Sequence, residues 1–174
     1  MSKASSSAVL PFAQLSLRIL IVINWIGAAL LVVLLVALPN EQWIMRALKL
    51  DASPDAATVV LALRSIAVLG LAVMVLHYVV MSRLVDMIAT VRDGDPFVAV
   101  NAQRLQTIAW TLLALQAIGL VIQMIGKMLS TSGHPVNLNA GFSFNGFLAV
   151  VLTFVLARVF AHGSLMRDDL EGTV

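Results

Sequence analysis

The side chains with which this chain could do chemistry are few: three histidines, one pair of adjacent carboxylates, and a scatter of amides and cations set inside apolar runs. His77, His134 and His162 are separated by 57 and 28 residues (134 − 77 and 162 − 134), and the layout derived below puts them on both sides of a membrane. They cannot share a metal, and the absence of cysteine removes thiolate ligands and thiolate catalysis as well. Asp168 and Asp169 are neighbours in the chain, so on a helix they point about 100° apart and make a poor acid–base pair. No H-E-x-x-H, Walker A, G-x-G-x-x-G or G-x-S-x-G pattern occurs. The expectation is therefore a non-enzyme with no cofactor and no metal.

The polar groups inside the apolar runs are the remaining candidates, because such groups are costly in lipid and turn inward. Gln116, Gly119, Gln123 and Gly126 follow one another at spacings of 3, 4 and 3, so one helix face alternates an amide with a glycine. That stripe reads first as a helix–helix seam and second as a substrate path. Asn24, Trp25, His77, Tyr78 and Arg158 fall in the same half of their segments, and Asn24, His77, Gln116 and Arg158 together could line a small-molecule or lipid pocket. An imidazole is the side chain suited to sensing protons. For His77 the simpler reading is a hydrogen bond within the helix packing.

Composition says which elements carry these groups. The chain of 174 residues is 60% hydrophobic and 11% charged, with a mean hydropathy of +0.98. Soluble domains carry about 25% charged residues, so much of this surface must face lipid. Four apolar runs, 17–38, 59–81, 105–129 and 142–160, each approach the roughly 20 residues needed to cross a bilayer as a helix. None alternates like a barrel strand. The first has Lys3 and Arg18 as a basic flank, but Ile19 to Leu38 is longer than a cleaved signal core and "ALPNEQW" is a poor cleavage site. It is read as a retained span. With four spans, seven Lys and Arg residues lie on the side of the termini and four on the other side, which predicts both ends in the cytoplasm. In the first outer loop Trp43, Ile44, Ala47, Leu48 and Leu50 recur at helical spacing opposite Glu41, Arg46 and Lys49, which predicts a short amphipathic helix lying at the interface. His134 reads as an exposed loop residue. Neither an inverted repeat nor an intramembrane proline supports a transporter.

The stretch "VRDGDPFVAVNAQRL", Val91 to Leu105, joins the second and third spans. Gly94 should end the preceding helix, Asp95 should cap the next, and Pro96 suits its first position. The third helix is then expected from Phe97 onward, with Phe97, Asn101 and Arg104 along one flank. The corner reads as a structural cap or as a docking surface built on that cap. At the other end of the chain, Arg158 and His162 suit a helix C-terminus, whereas Asp168, Asp169 and Glu171 do not. Either the helix stops near Gly163, or Arg83, Arg92, Arg104 or a partner neutralises the acids. Docking of the tail, 161–174, against the second cytoplasmic loop is the preferred expectation over a frayed tail.

"GDPF", then "NAQRLQTIAWTLLALQ", and the ending "LARVFAHGSLMRDDLEGTV" resemble a bacterial family of small four-span membrane proteins, domain-of-unknown-function family 2975. The residues that carry the resemblance are Gly94, Asp95, Pro96 and Phe97, then Arg167, Asp169, Leu170, Glu171, Thr173 and Val174. Members have no assigned activity. Many are encoded beside a small Cro-like helix-turn-helix regulator, so the resemblance implies a membrane-bound regulatory partner. Val100 stands where relatives commonly carry an acidic residue, and this removes one charge contact.

The sequence thus describes an all-α membrane protein: a single domain forming a four-transmembrane-helix bundle with a short interfacial helix. Its partners are expected to be the lipid bilayer, a small helix-turn-helix regulator or further copies of the chain. The net charge of +2 is too thinly spread for direct nucleic-acid binding.

Overall fold

The computed structural model describes residues 3–37, 56–131 and 143–171, all of them helical apart from the short corner before residue 99 and the residue that precedes the last helix. Four helices follow in order: α1 (Lys3–Ala37), α2 (Ala56–Arg92), α3 (Ala99–Thr131) and α4 (Phe144–Glu171). All four are long and apolar enough to cross a membrane, and no strand occurs among the described residues. The amphipathic stretch 43–50 and His134 lie outside the described residues.

Each helix is longer than its apolar run. At about 1.5 Å per residue, the 37 residues of α2 span about 55 Å, against about 30 Å for the hydrocarbon core. Expectation placed the end of the second span at Met81, but the helix continues to Arg92. Charge ends an apolar run without ending a helix, since Arg, Asp and Met are all good enough helix formers to prolong it into water.

Among the described residues, Cα atoms approach within 8 Å only between helices consecutive in the chain: α1 with α2, α2 with α3, and α3 with α4. The bundle is thus open between α1 and α4. Large apolar side chains cover the outside, Ile23, Leu30 and Val33 of α1 and Leu152 and Val155 of α4 among them. Exposed surface of that extent is intelligible only if lipid covers it.

The seams rest on small residues. Gly27 of α1 lies under Met74 of α2, and Gly70 of α2 lies so close to Leu31 that a Cβ there would be 3.2 Å from Leu31 Cδ1. Between them the Asn24 amide donates to the Met74 carbonyl at 3.0 Å. With no water to drive apolar surfaces together, close backbone approach and such bonds hold helices side by side. On the other seam Trp110 of α3 meets Phe154 of α4 edge-on, with centroids 5.3 Å apart and planes at 86°.

Candidate functional site

The corner between α2 and α3 is the most densely bonded part of the described chain. It begins with Gly94, whose φ of 86° is open to glycine and strained for other residues. The Gly94 N–H donates to the Val91 carbonyl at 3.2 Å and the Asp95 N–H to the Thr90 carbonyl at 3.0 Å. This pair of bonds is a Schellman closure, which occupies carbonyls that the end of α2 would otherwise leave free.

Beyond it the chain departs from expectation. Asp95 does not cap α3, Pro96 is not its first residue, and the helix starts at Ala99 rather than Phe97. Residues 95–98 run without regular structure. The first turn is held by Asn101 instead. Its backbone N–H donates to the Val98 carbonyl at 2.9 Å. Its side-chain amide reaches back to the Pro96 carbonyl at 2.9 Å and across to the Thr90 hydroxyl at 2.7 Å. Thr90 passes the chain of bonds on to the Met87 carbonyl. The Asn101 side-chain oxygen accepts from Arg104, whose guanidinium also reaches the Asp86 carbonyl at 3.2 Å. Both amide hydrogens and the oxygen of Asn101 are thus engaged, which allows the side chain to be fully buried at 0% exposure.

That burial separates residues that were expected along one flank. Asn101 cannot be touched by a partner, Arg104 is half-buried beside it, and Phe97 is 44% exposed. Phe97 turns to α4, where its ring meets Phe160 at a centroid distance of 5.2 Å. It also covers Gly163: a Cβ at that glycine would be 2.9 Å from Phe97 Cδ1. Gly163 does not stop the helix. It is the gap into which the corner's aromatic ring fits, and α4 continues to Glu171. Arg167, one turn further on, pairs with Asp95 through its guanidinium. The end of α4 therefore lies against the α2–α3 corner as a continuous helix. Asp169, Leu170 and Glu171 belong to its last turn, but their side chains lie outside the described residues, as do residues 172–174.

The polar groups inside the spans do not converge. Asn24 is engaged with Met74 on the α1–α2 seam. His77 and Gln116 border one cavity of about 320 Å³, which includes Gly119 and Gly146. The Gln116 amide donates to the Ser143 carbonyl at 2.8 Å and lies over Gly146, where a Cβ would come 2.9 Å from Gln116 Cδ. Gln116 therefore serves the α3–α4 seam. Gln123 is half-buried on α3 and borders neither cavity. Arg158 lies at a different cavity, of about 430 Å³, between α3 and α4 near the corner, together with Gln103 and Gln106. The His162 ring lies one turn along, with Nδ1 3.2 Å from the Arg158 carbonyl. A single pocket built from Asn24, His77, Gln116 and Arg158 is not formed.

Three contributors to the corner went unread in the sequence. Thr90 and Phe160 carried no local signal, since their partners lie 11 and 63 residues away. Gly163 did carry one, but a glycine late in a helix looks like a terminator unless its neighbour in space is known.

No curated protein and no solved structure matches the chain. A family model described as Protein of unknown function (DUF2975) matches residues 39–174, which takes in α2, α3, α4 and the whole corner between them and leaves α1 ahead of it. The chain belongs to the DUF2975 family of proteins of unknown function.

Proposed function

We propose that this multi-pass membrane protein is a non-enzymatic regulator whose corner, facing the cytoplasm together with both ends of the chain, docks a small helix-turn-helix protein. The observation that carries the reading is the locked corner itself. Phe97 on Phe160 and Gly163, and Asp95 on Arg167, join the α2–α3 connection to the end of α4. Such cross-linking of a loop to a distant helix holds a surface in one shape, and preorganisation lowers the entropic cost of binding. Val91, Phe97, Val100, Leu165 and Met166 are exposed there, among Arg92, Asp93, Asp95 and Arg167. Apolar residues within a charged rim are what a protein partner covers.

The test is capture of a small Cro-like helix-turn-helix protein, of the kind encoded beside many family members, by the full-length protein in detergent. Wild type should retain it. Replacing Asp95 and Phe97 together by alanine, or deleting residues 167–174, should lose it while membrane insertion and helix content stay unchanged. Undiminished capture by either variant overturns the reading, as does a reporter fused after Val174 that is active only outside the cytoplasm.

A further inference from the structure

We infer that the α3–α4 cavity at Arg158 is a binding site for the phosphate of an anionic phospholipid in the leaflet that meets the corner. Arg158 lies 14 residues after Phe144 on α4, about 21 Å along the axis. If Phe144 marks the far edge of a hydrocarbon core of about 30 Å, the Arg158 backbone is still about 9 Å inside the near edge. An arginine there must extend its stem to bring the guanidinium to the headgroup level. Among the described residues that guanidinium has no hydrogen-bond or ion-pair partner. Its neighbour Arg167 does have one, in Asp95.

The surroundings say what kind of partner fits. The cavity holds about 430 Å³, and among the described residues no carboxylate borders it. Ala99, Ala102, Ala157 and Ala161 leave the space by their small size, and Gln103 and Gln106 line it from α3 with side chains that carry amide donors. A planar cation and two amides lining one cavity match the oxygens of a phosphodiester. Phe154 continues the wall toward the middle of the span, so an acyl chain can follow the same groove. Basic pockets between membrane helices take anionic headgroups for this reason. A soluble phosphate would use the same polar groups and leave the apolar wall empty. The proposal rests on the cavity and not on the docking of a protein at the corner: of the exposed apolar residues there, Leu165 borders this cavity, and Val91, Phe97, Val100 and Met166 do not.

The experiment is native mass spectrometry of the full-length protein released from detergent after exchange with phosphatidylglycerol or with phosphatidylcholine. Wild type should keep phosphatidylglycerol adducts in preference to phosphatidylcholine. Arg158→Gln should lower phosphatidylglycerol retention about tenfold, the factor expected for one lost charge-assisted contact. Arg158→Lys should recover part of it, which a merely misfolded variant would not. Arg92→Gln, which removes an exposed cation outside the cavity, should leave retention unchanged. Equal retention by wild type and Arg158→Gln overturns the proposal. So does an equal loss in Arg92→Gln, which would mean diffuse surface charge. Displacement of the lipid by millimolar inorganic phosphate overturns the lipid assignment in favour of a small anion.

Discussion

Replacing Asn101 by alanine is the sharpest probe of how the corner is held. The side chain is fully buried and makes three bonds: to the Thr90 hydroxyl at 2.7 Å, to the Pro96 carbonyl at 2.9 Å, and from Arg104 at 2.9 Å. Net worth is about 1 kcal/mol for each neutral bond and about 1.5 kcal/mol for the one from the guanidinium, taken at the low end because Arg104 keeps the Asp86 carbonyl. The total loss should be about 3.5 kcal/mol. Thr90 keeps its bond to Met87, so the cost falls mainly on the Pro96 carbonyl and on the join between α2 and α3. Reversible unfolding in mixed micelles, followed by tryptophan fluorescence, reads the change. A cycle with Thr90→Val isolates the 2.7 Å bond: the two substitutions should fall short of additive by about 1 kcal/mol, while Thr90→Ser should retain most of the wild-type stability. A loss below about 1 kcal/mol for Asn101→Ala, or strict additivity with Thr90→Val, would refute the account of Asn101 as the interior tie. Loss of partner capture at full stability would put Asn101 back on a binding surface.

Two further substitutions test the packing. Gly146→Ala should destabilise by about 1–3 kcal/mol because the new methyl meets the Gln116 amide, and Gln116→Ala in the same chain should relieve much of that cost; the same unfolding assay decides, and simple additivity would count against the seam. At Gly94, where an added Cβ would find nothing within 4 Å but φ is 86°, substitution should cost backbone strain alone, about 1–2 kcal/mol for alanine, less for asparagine and more for valine; a flat series would remove the Schellman closure from the argument.

The four long apolar helices and the place of the α2–α3 break were legible in the sequence, because each depends on local quantities. Uninterrupted apolar length makes a spanning helix in lipid, and a glycine tolerates the positive φ that ends one. Family membership was legible for a related reason: its motifs, Gly94 to Phe97 and the residues from Arg167, are contiguous in the chain. The same local reasoning misplaced the cap. Asp95 has the right chemistry for a helix N-terminus, but Arg167, 72 residues away, claims its carboxylate, and Asn101 holds the turn instead.

Only the tertiary structure decided which polar residues meet. Asn24, His77, Gln116 and Arg158 look alike in sequence, as costly groups in apolar runs. Their fates diverge because helix rotation sets each against a different neighbour: a backbone carbonyl for Asn24, a glycine of α4 for Gln116, a cavity between α3 and α4 for Arg158. Gly163 shows the same division. As a residue type it promised an end to the helix, and the Phe97 ring made it a place of close contact within one. Conformational preference is written residue by residue, whereas contact depends on how separate helices lie against one another, and no stretch of chain holds that information alone.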